Sequence, residues 1–214
     1  MIKQIKTGLR LLPYTYGIVP NLALCGGIGL LGLFVSLYGD FSEIGIYFLM
    51  AVGMFPIQML YSLGVSDMVQ TSSWKKPIQT SMSVMLTFGG MGVAYLISFL
   101  INLTRLSNHA EKEPLAARLM LIGGIIALII MLYMGFAMKY FVAALILFIA
   151  TIYGGAIALN FFSVEGVALS FSASTVIGFA CLVLGALLQY GVTLLVYRKP
   201  IAKRSQLPGL EKLM

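Results

Sequence analysis

SDMVQTSSWKKPIQTSM, residues 66–82, is the longest polar break in the first half of a chain that is otherwise mostly apolar. It sets Lys75 and Lys76 side by side and joins two long apolar runs. Thr71, Ser72 and Ser73 are N-cap candidates, because a short side-chain oxygen can accept from the free backbone N–H groups that open a helix. Trp74 with Lys75 and Lys76 then opens a short helix along a membrane face. Pro77 falls in the first turn of that helix, where its missing donor costs little. Two readings follow from the residues alone: a handle for another protein, or a basic loop that only sets topology.

The runs on either side decide the class. Sixty per cent of the 214 residues are apolar and ten per cent are charged. A soluble domain carries about a quarter charged residues and could not bury so much apolar surface at this length. Several runs reach the roughly 20 apolar residues that cross a bilayer. They are long and continuous, unlike the short alternating segments of a membrane barrel. The expectation is an all-α polytopic membrane protein in a single transmembrane domain. Its six spans cover about residues 18–38, 44–65, 83–104, 118–138, 141–160 and 173–197.

Outside those spans, residues 1–16 place Ile2, Ile5, Leu9 and Leu12 at three- and four-residue spacing, with Lys3, Lys6 and Arg10 on other faces. That pattern predicts an interfacial (elbow) helix, which Pro13 ends. No removable signal peptide is expected, since no small-residue cleavage site follows a compact apolar core. Gly26, Gly27, Gly29 and Gly32 form a small-residue face on the first span, suited to close helix contact. Pro56 predicts a kink in the second span. Residues 198–214 form a basic tail.

Charge placement predicts orientation. With six spans, Lys3, Lys6, Arg10, Lys75, Lys76, Lys139, Arg198, Lys199, Lys203, Arg204 and Lys212 share one side, and only Arg105, Lys112 and Arg118 lie on the other. The cation-rich side faces the cytoplasm. A multi-pass protein of the cell membrane with both termini on the cytoplasmic side is therefore expected, and the net charge of +7 is a topology signal rather than a nucleic-acid footprint.

The chemistry that would make the chain an engine or an enzyme is missing. The spans hold no ionisable side chain away from their ends, which disfavours proton coupling. There is no GxxxxGK[ST] phosphate loop and no HExxH pair. The single histidine, His109, stands in a polar loop with Glu111, Lys112 and Glu113, a solvated surface rather than an acid/base pair. No catalytic residue, metal ligand or cofactor site is expected in this chain. Cys25 and Cys181 fall within spans and read as packing residues.

The layout resembles the membrane (permease) subunits of ABC exporters of the type-2 permease class. SSWKKPIQTS, residues 72–81, sits where that family carries its coupling helix, and LLQYGVTLLVYRKPIAKRSQ, residues 187–206, is similar to tails of compact bacterial members. Residues 161–172 match the re-entrant stretch between the last two spans. The resemblance implies a separate ABC ATPase subunit that carries ATP and Mg and docks on Thr71, Ser72, Ser73, Trp74, Lys75 and Lys76. It also implies a second permease subunit, as a homodimer or related heterodimer. The cargo would be hydrophobic or amphipathic: a peptide such as an antimicrobial one, an antibiotic or a lipid-like molecule. Met50, Met54, Gln58, Met59 and Tyr61 on the second span are candidates for the translocation path, although core packing explains such a stripe equally well. The other functions open to the chain are a membrane scaffold or regulatory subunit, and a secondary transporter or channel.

Overall fold

The computed structural model describes residues 6, 10, 13, 18–39, 43–64, 69, 71–137, 139–140, 146, 149 and 169–198. The regular elements among them are all helical. α1 is Ile18–Tyr38, α2 is Glu43–Gly53 and α3 is Phe55–Gly64. One turn, α4, covers Lys75–Pro77 and passes through a π turn at Ile78–Met82 into α5, Ser83–Asn108. A 3₁₀ turn at Ala110–Lys112 leads to α6, Glu113–Ala137, and α7 is Phe171–Val196. Five helical stretches are long and apolar enough to cross a membrane: Ile18–Tyr38, Ile44–Tyr61, Lys75–Asn108, Ala110–Ala137 and Phe171–Val196. The predicted span at residues 141–160 and most of the elbow helix lie outside the described residues, although Lys6 and Arg10 are helical and exposed.

The boundaries follow local chemistry. The second span is broken between Gly53 and Phe55, next to the proline that predicted a kink. Pro56 has no N–H to continue the ladder, and the chain passes through a turn in which Met54 N donates to Ala51 O at 3.2 Å. The helix that contains the predicted fourth span begins at Glu113, whose side chain is exposed. Its carboxylate also accepts from the Phe171 N–H at 3.0 Å, and Ser170 Oγ accepts from Ala173 N–H at 3.3 Å. Two of the free donors that open α7 are thereby satisfied.

Register contacts define the topology. Gly32 abuts Phe48 and Leu49, and Gly45 abuts Ser36, so α1 and α2 are antiparallel. Gly53 meets Gly90 and Met91, while Tyr61 approaches Ser83, which runs α2 and α3 against α5. Tyr95 reaches Thr175 and Gln189 reaches Thr87, so α5 and α7 are antiparallel. α6 and α7 instead run in the same direction: Glu113 meets Phe171, Gly124 meets Gly178, Gly185 meets Leu128 and Gly135 meets Val192. Ala137 and Phe171, which flank the fifth predicted span, therefore stand at opposite ends of the bundle.

The core lies where α2, α3, α5, α6 and α7 converge, around Met50, Ile57, Leu60, Met82, Met91, Met120, Met131, Met134 and Leu182. α6 is its centre, with fifteen buried positions among its 25 residues. α1 and α7 carry the outer apolar faces, including Leu22, Leu30, Phe34, Val176, Phe179 and Leu187. The expected small-residue face of α1 is only half used. Gly32, with Gly29 beside Val52, faces α2, whereas nothing lies within 4 Å of a side chain placed at Gly26 or Gly27.

Candidate functional site

The predicted handle starts a helix, but not as a separate one lying along a membrane face. Lys75–Pro77 continues without interruption through the π turn into α5, a helical stretch from Lys75 to Asn108. Pro77 occupies the first turn, as its chemistry requires. Trp74 is the N-cap residue and makes no side-chain capping bond. Ser72 supplies the local turn: its hydroxyl donates to Val69 O at 2.9 Å and accepts from Trp74 N–H at 3.2 Å. Thr71, Ser73, Trp74 and Lys76 are exposed, and Lys75 is half-buried.

Directly beyond the π turn is a polar seam. Gln189 of α7, fully buried, donates through Nε2 to Thr87 Oγ1 at 3.1 Å and to Ser83 Oγ at 3.4 Å. Ser83 Oγ lies 3.4 Å from the Tyr61 hydroxyl, which donates to the Met134 carbonyl. Since Tyr61 spends its proton on Met134, Ser83 donates to Tyr61, and the bonds run in one direction from Gln189 to Met134. This single chain ties together α7, α5, α3 and α6. Inside a dry bundle an unsatisfied polar atom costs several kcal/mol, on the order of the penalty for moving an amide into hydrocarbon, so the three hydroxyls and the Gln189 amide nitrogen find one another, while Gln189 Oε1 is left without a partner.

At the same end of the molecule, cations remote in sequence converge. Lys76 Nζ lies 5.5 Å above the centre of the Tyr197 ring, and the Arg198 guanidinium lies 5.9 Å from it. Lys139, 3% exposed, is close enough to Lys75 to feel its charge. Burial first, and Lys75 second, lowers the Lys139 pKa from 10.5 to about 8. A small cleft is lined by Gln79, Gly135, Lys139, Thr193, Val196 and Tyr197. Gln79, on the π turn, is 3% exposed, and neither its amide nitrogen nor its amide oxygen has a partner.

The opposite end is built differently. Arg105 donates to Ser36 O at 2.9 Å and to Gly39 O at 2.5 Å, placing a cation at the negative C-terminus of α1. His109 and Glu111 are exposed and stand 3.4 Å apart. Among the described residues, no group of three or more His, Cys, Asp or Glu side chains is arranged to hold a metal ion.

The candidate path residues are not brought to one surface. Met50 and Met59 are buried in the core, whereas Met54, Gln58 and Tyr61 are half-buried. Sequence reasoning passed over Ser83, Thr87 and Gln189, and read Lys139 only as one of the cations that set orientation. Gln189 carried a usable signal, being a lone amide well inside an apolar run. Ser83 and Thr87 carried none, because small hydroxyls are common in spanning helices and bond to their own backbone.

The molecule is a helical bundle with five helical stretches long and apolar enough to cross a membrane, a cation-rich end and a polar seam behind it. Compared with protein-family models, curated proteins and solved structures, the chain matches none of them.

Proposed function

We propose that this chain is the permease subunit of an ATP-driven exporter, resembling the type-2 class of ABC transporters, and that a separate ATPase moves it through residues 71–76. The observation that carries the reading is the continuity of the handle with the third span. A push on Lys75 or Lys76 acts on a helix that continues to Asn108 and crosses the Gln189–Ser83–Tyr61 seam in its first turns. Helices transmit such a displacement because packed elements have discrete arrangements and do not deform continuously.

The arrangement of α6 and α7 supports a sixth crossing between them, since the chain leaves one at one end and enters the other at the opposite end. Six crossings would put both termini with Lys75, Lys76, Lys139 and Arg198 on the cytoplasmic side. The exposed apolar faces of α1 and α7 suit lipid or a second permease subunit. A path formed between two such subunits would accept a hydrophobic or amphipathic cargo, without needing an ionisable residue in the membrane. ATP binding elsewhere would then bias two states of the pair through the handles.

The test is co-purification from mild detergent, with mass spectrometry of the recovered proteins to identify a nucleotide-hydrolysing subunit. Lys75→Glu combined with Lys76→Glu is expected to abolish that association while leaving the amount of folded membrane subunit unchanged. Equal recovery of the ATPase with wild type and double variant rules out the handle. Recovery of an ATPase without nucleotide-dependent cargo movement in vesicles supports a scaffold or regulatory subunit instead.

A further inference from the structure

We propose that the π turn at Ile78–Met82 is a rotary joint, which tightens into an α-helical turn and so rotates residues 71–77 about the axis of α5. A π turn closes its ring with one residue more than an α-helical turn and occurs mostly as a single insertion within an α-helix. Here it divides a helical stretch that is otherwise α-helical from Lys75 to Asn108. Its entrance already has α-helical spacing, since Ile78 N–H donates to Trp74 O at 3.0 Å and the Thr80 hydroxyl to Lys76 O at 2.7 Å. Winding the same five residues as an α-helix adds close to one residue of rotation, about 100°.

The two sides of the joint are held unequally. Beyond it, Met82 and Leu86 are buried in the core, and Gln189 fastens Ser83 and Thr87 to α7. Before it, Trp74 and Lys76 are exposed, and Lys76 meets Tyr197 through a cation–π contact of the kind that is weak at exposed sites. The bonds from Ser72 to Val69 and from Trp74 to Ser72 lie within the handle and travel with it. Inside the joint, the observed winding leaves Gln79 3% exposed with neither amide atom bonded to the protein. Buried polar side chains are nearly always bonded, so this winding is raised in free energy relative to one that moves the amide. Gln79 faces Thr193, and one turn further along the same face of α7 Gln189 Oε1 is also without a partner, an acceptor open to an amide that moves. A modest difference in what touches the handle then shifts the balance between the two windings. That an ATPase supplies this difference rests on the permease reading; the joint itself does not.

The purified chain in lipid nanodiscs, without any partner, suffices for the test. Spin labels are placed at Ser73→Cys in the handle and Val19→Cys at the exposed start of α1, with Cys25 and Cys181 replaced by serine. Because a helix with its side chains is about 10–12 Å across, a rotation of about 100° moves the Ser73 label by roughly 8 Å. Double electron–electron resonance is expected to resolve two distances in this parent and one in a variant lacking Gln79. Removing one residue from the π turn leaves an α-helical turn that keeps the registers of both Lys76 and Ser83, which fixes the observed orientation. That deletion should therefore shift the thermal midpoint little, whereas deletion of Val93 from the regular part of α5 should lower it sharply. Gln79→Leu keeps the chain length and removes the unsatisfied amide, so it should move the population towards the same single distance. A single distance in the parent, two distances that both variants leave unchanged, or a Gln79 deletion as damaging as that of Val93 would overturn the joint. Failure to recover an ATPase bears instead on the permease reading and leaves the two distances as they are.

Discussion

Individual side chains in this protein act mainly by completing the backbone of another helix. Arg105 closes the carbonyls at the end of α1, Glu113 takes a free donor at the start of α7, and Tyr95 donates to the carbonyls of Thr175 and Met120 at 3.0 and 3.3 Å. Lys139 is different, because burial and Lys75 hold its pKa near 8 rather than 10.5. The unfolded chain therefore binds more protons than the folded one between about pH 8 and pH 10.5, and stability must rise with pH across that window. Below pH 8 both states are protonated and the destabilisation is complete. Chemical-denaturant midpoints measured from pH 7.5 to pH 10.5 should climb for wild type and flatten for Lys139→Met. A wild-type curve that falls through the same window would refute the burial of the ammonium.

Glycine governs the helices where two backbones touch. A side chain at Gly124 would run into the backbone of Gly178, and one at Gly178 would lie 2.7 Å from Met120 O and crowd the Tyr95 ring. Close approach of small residues is the usual means of joining helices in a bilayer, where apolar side chains gain little from leaving lipid. Gly178→Val should therefore destabilise by about 1–3 kcal/mol, the range for overpacking a well-filled interior. Gly191→Val on the same helix faces open space and should be close to neutral. Equal loss of thermal stability in the two variants would show that α6 and α7 do not pack through Gly178. The π turn at Ile78–Met82 is the other distinctive element, since it joins the basic first turn to α5 and turns Gln79 into the cleft. Such turns frequently mark functional positions in a helix.

At the scale of the molecule, Lys75, Lys76, Lys139 and Arg198 gather at one end of the bundle, and the proposed topology places that end inside. Ser73 precedes the cation-rich end and Ser107 closes α5 at the other, and both are exposed. In a chain with Cys25 and Cys181 replaced by serine, Ser73→Cys and Ser107→Cys should react with an impermeant maleimide from opposite sides of the membrane. The cytoplasmic side is expected for Ser73→Cys. Labelling of both from one side would mean that α5 does not cross, and labelling of Ser73→Cys from outside would invert the orientation.

The helical make-up of the molecule and the apolar length of α1 were legible along the chain, because a run of about 20 apolar residues is a local and additive property. The break in the second span was legible for the same reason: a proline removes its own donor wherever it stands. The bond by which Glu113 takes the Phe171 N–H was not, because the two residues stand 58 positions apart. Nor could residue order show that Lys76, Lys139 and Arg198 share one end with an orphaned Gln79, or that Gln189 is bonded to Thr87. Those relations follow from helix register and from α6 and α7 packing side by side in the same direction. Hydropathy therefore determined what the chain is made of, and packing decided which of its few polar groups meet.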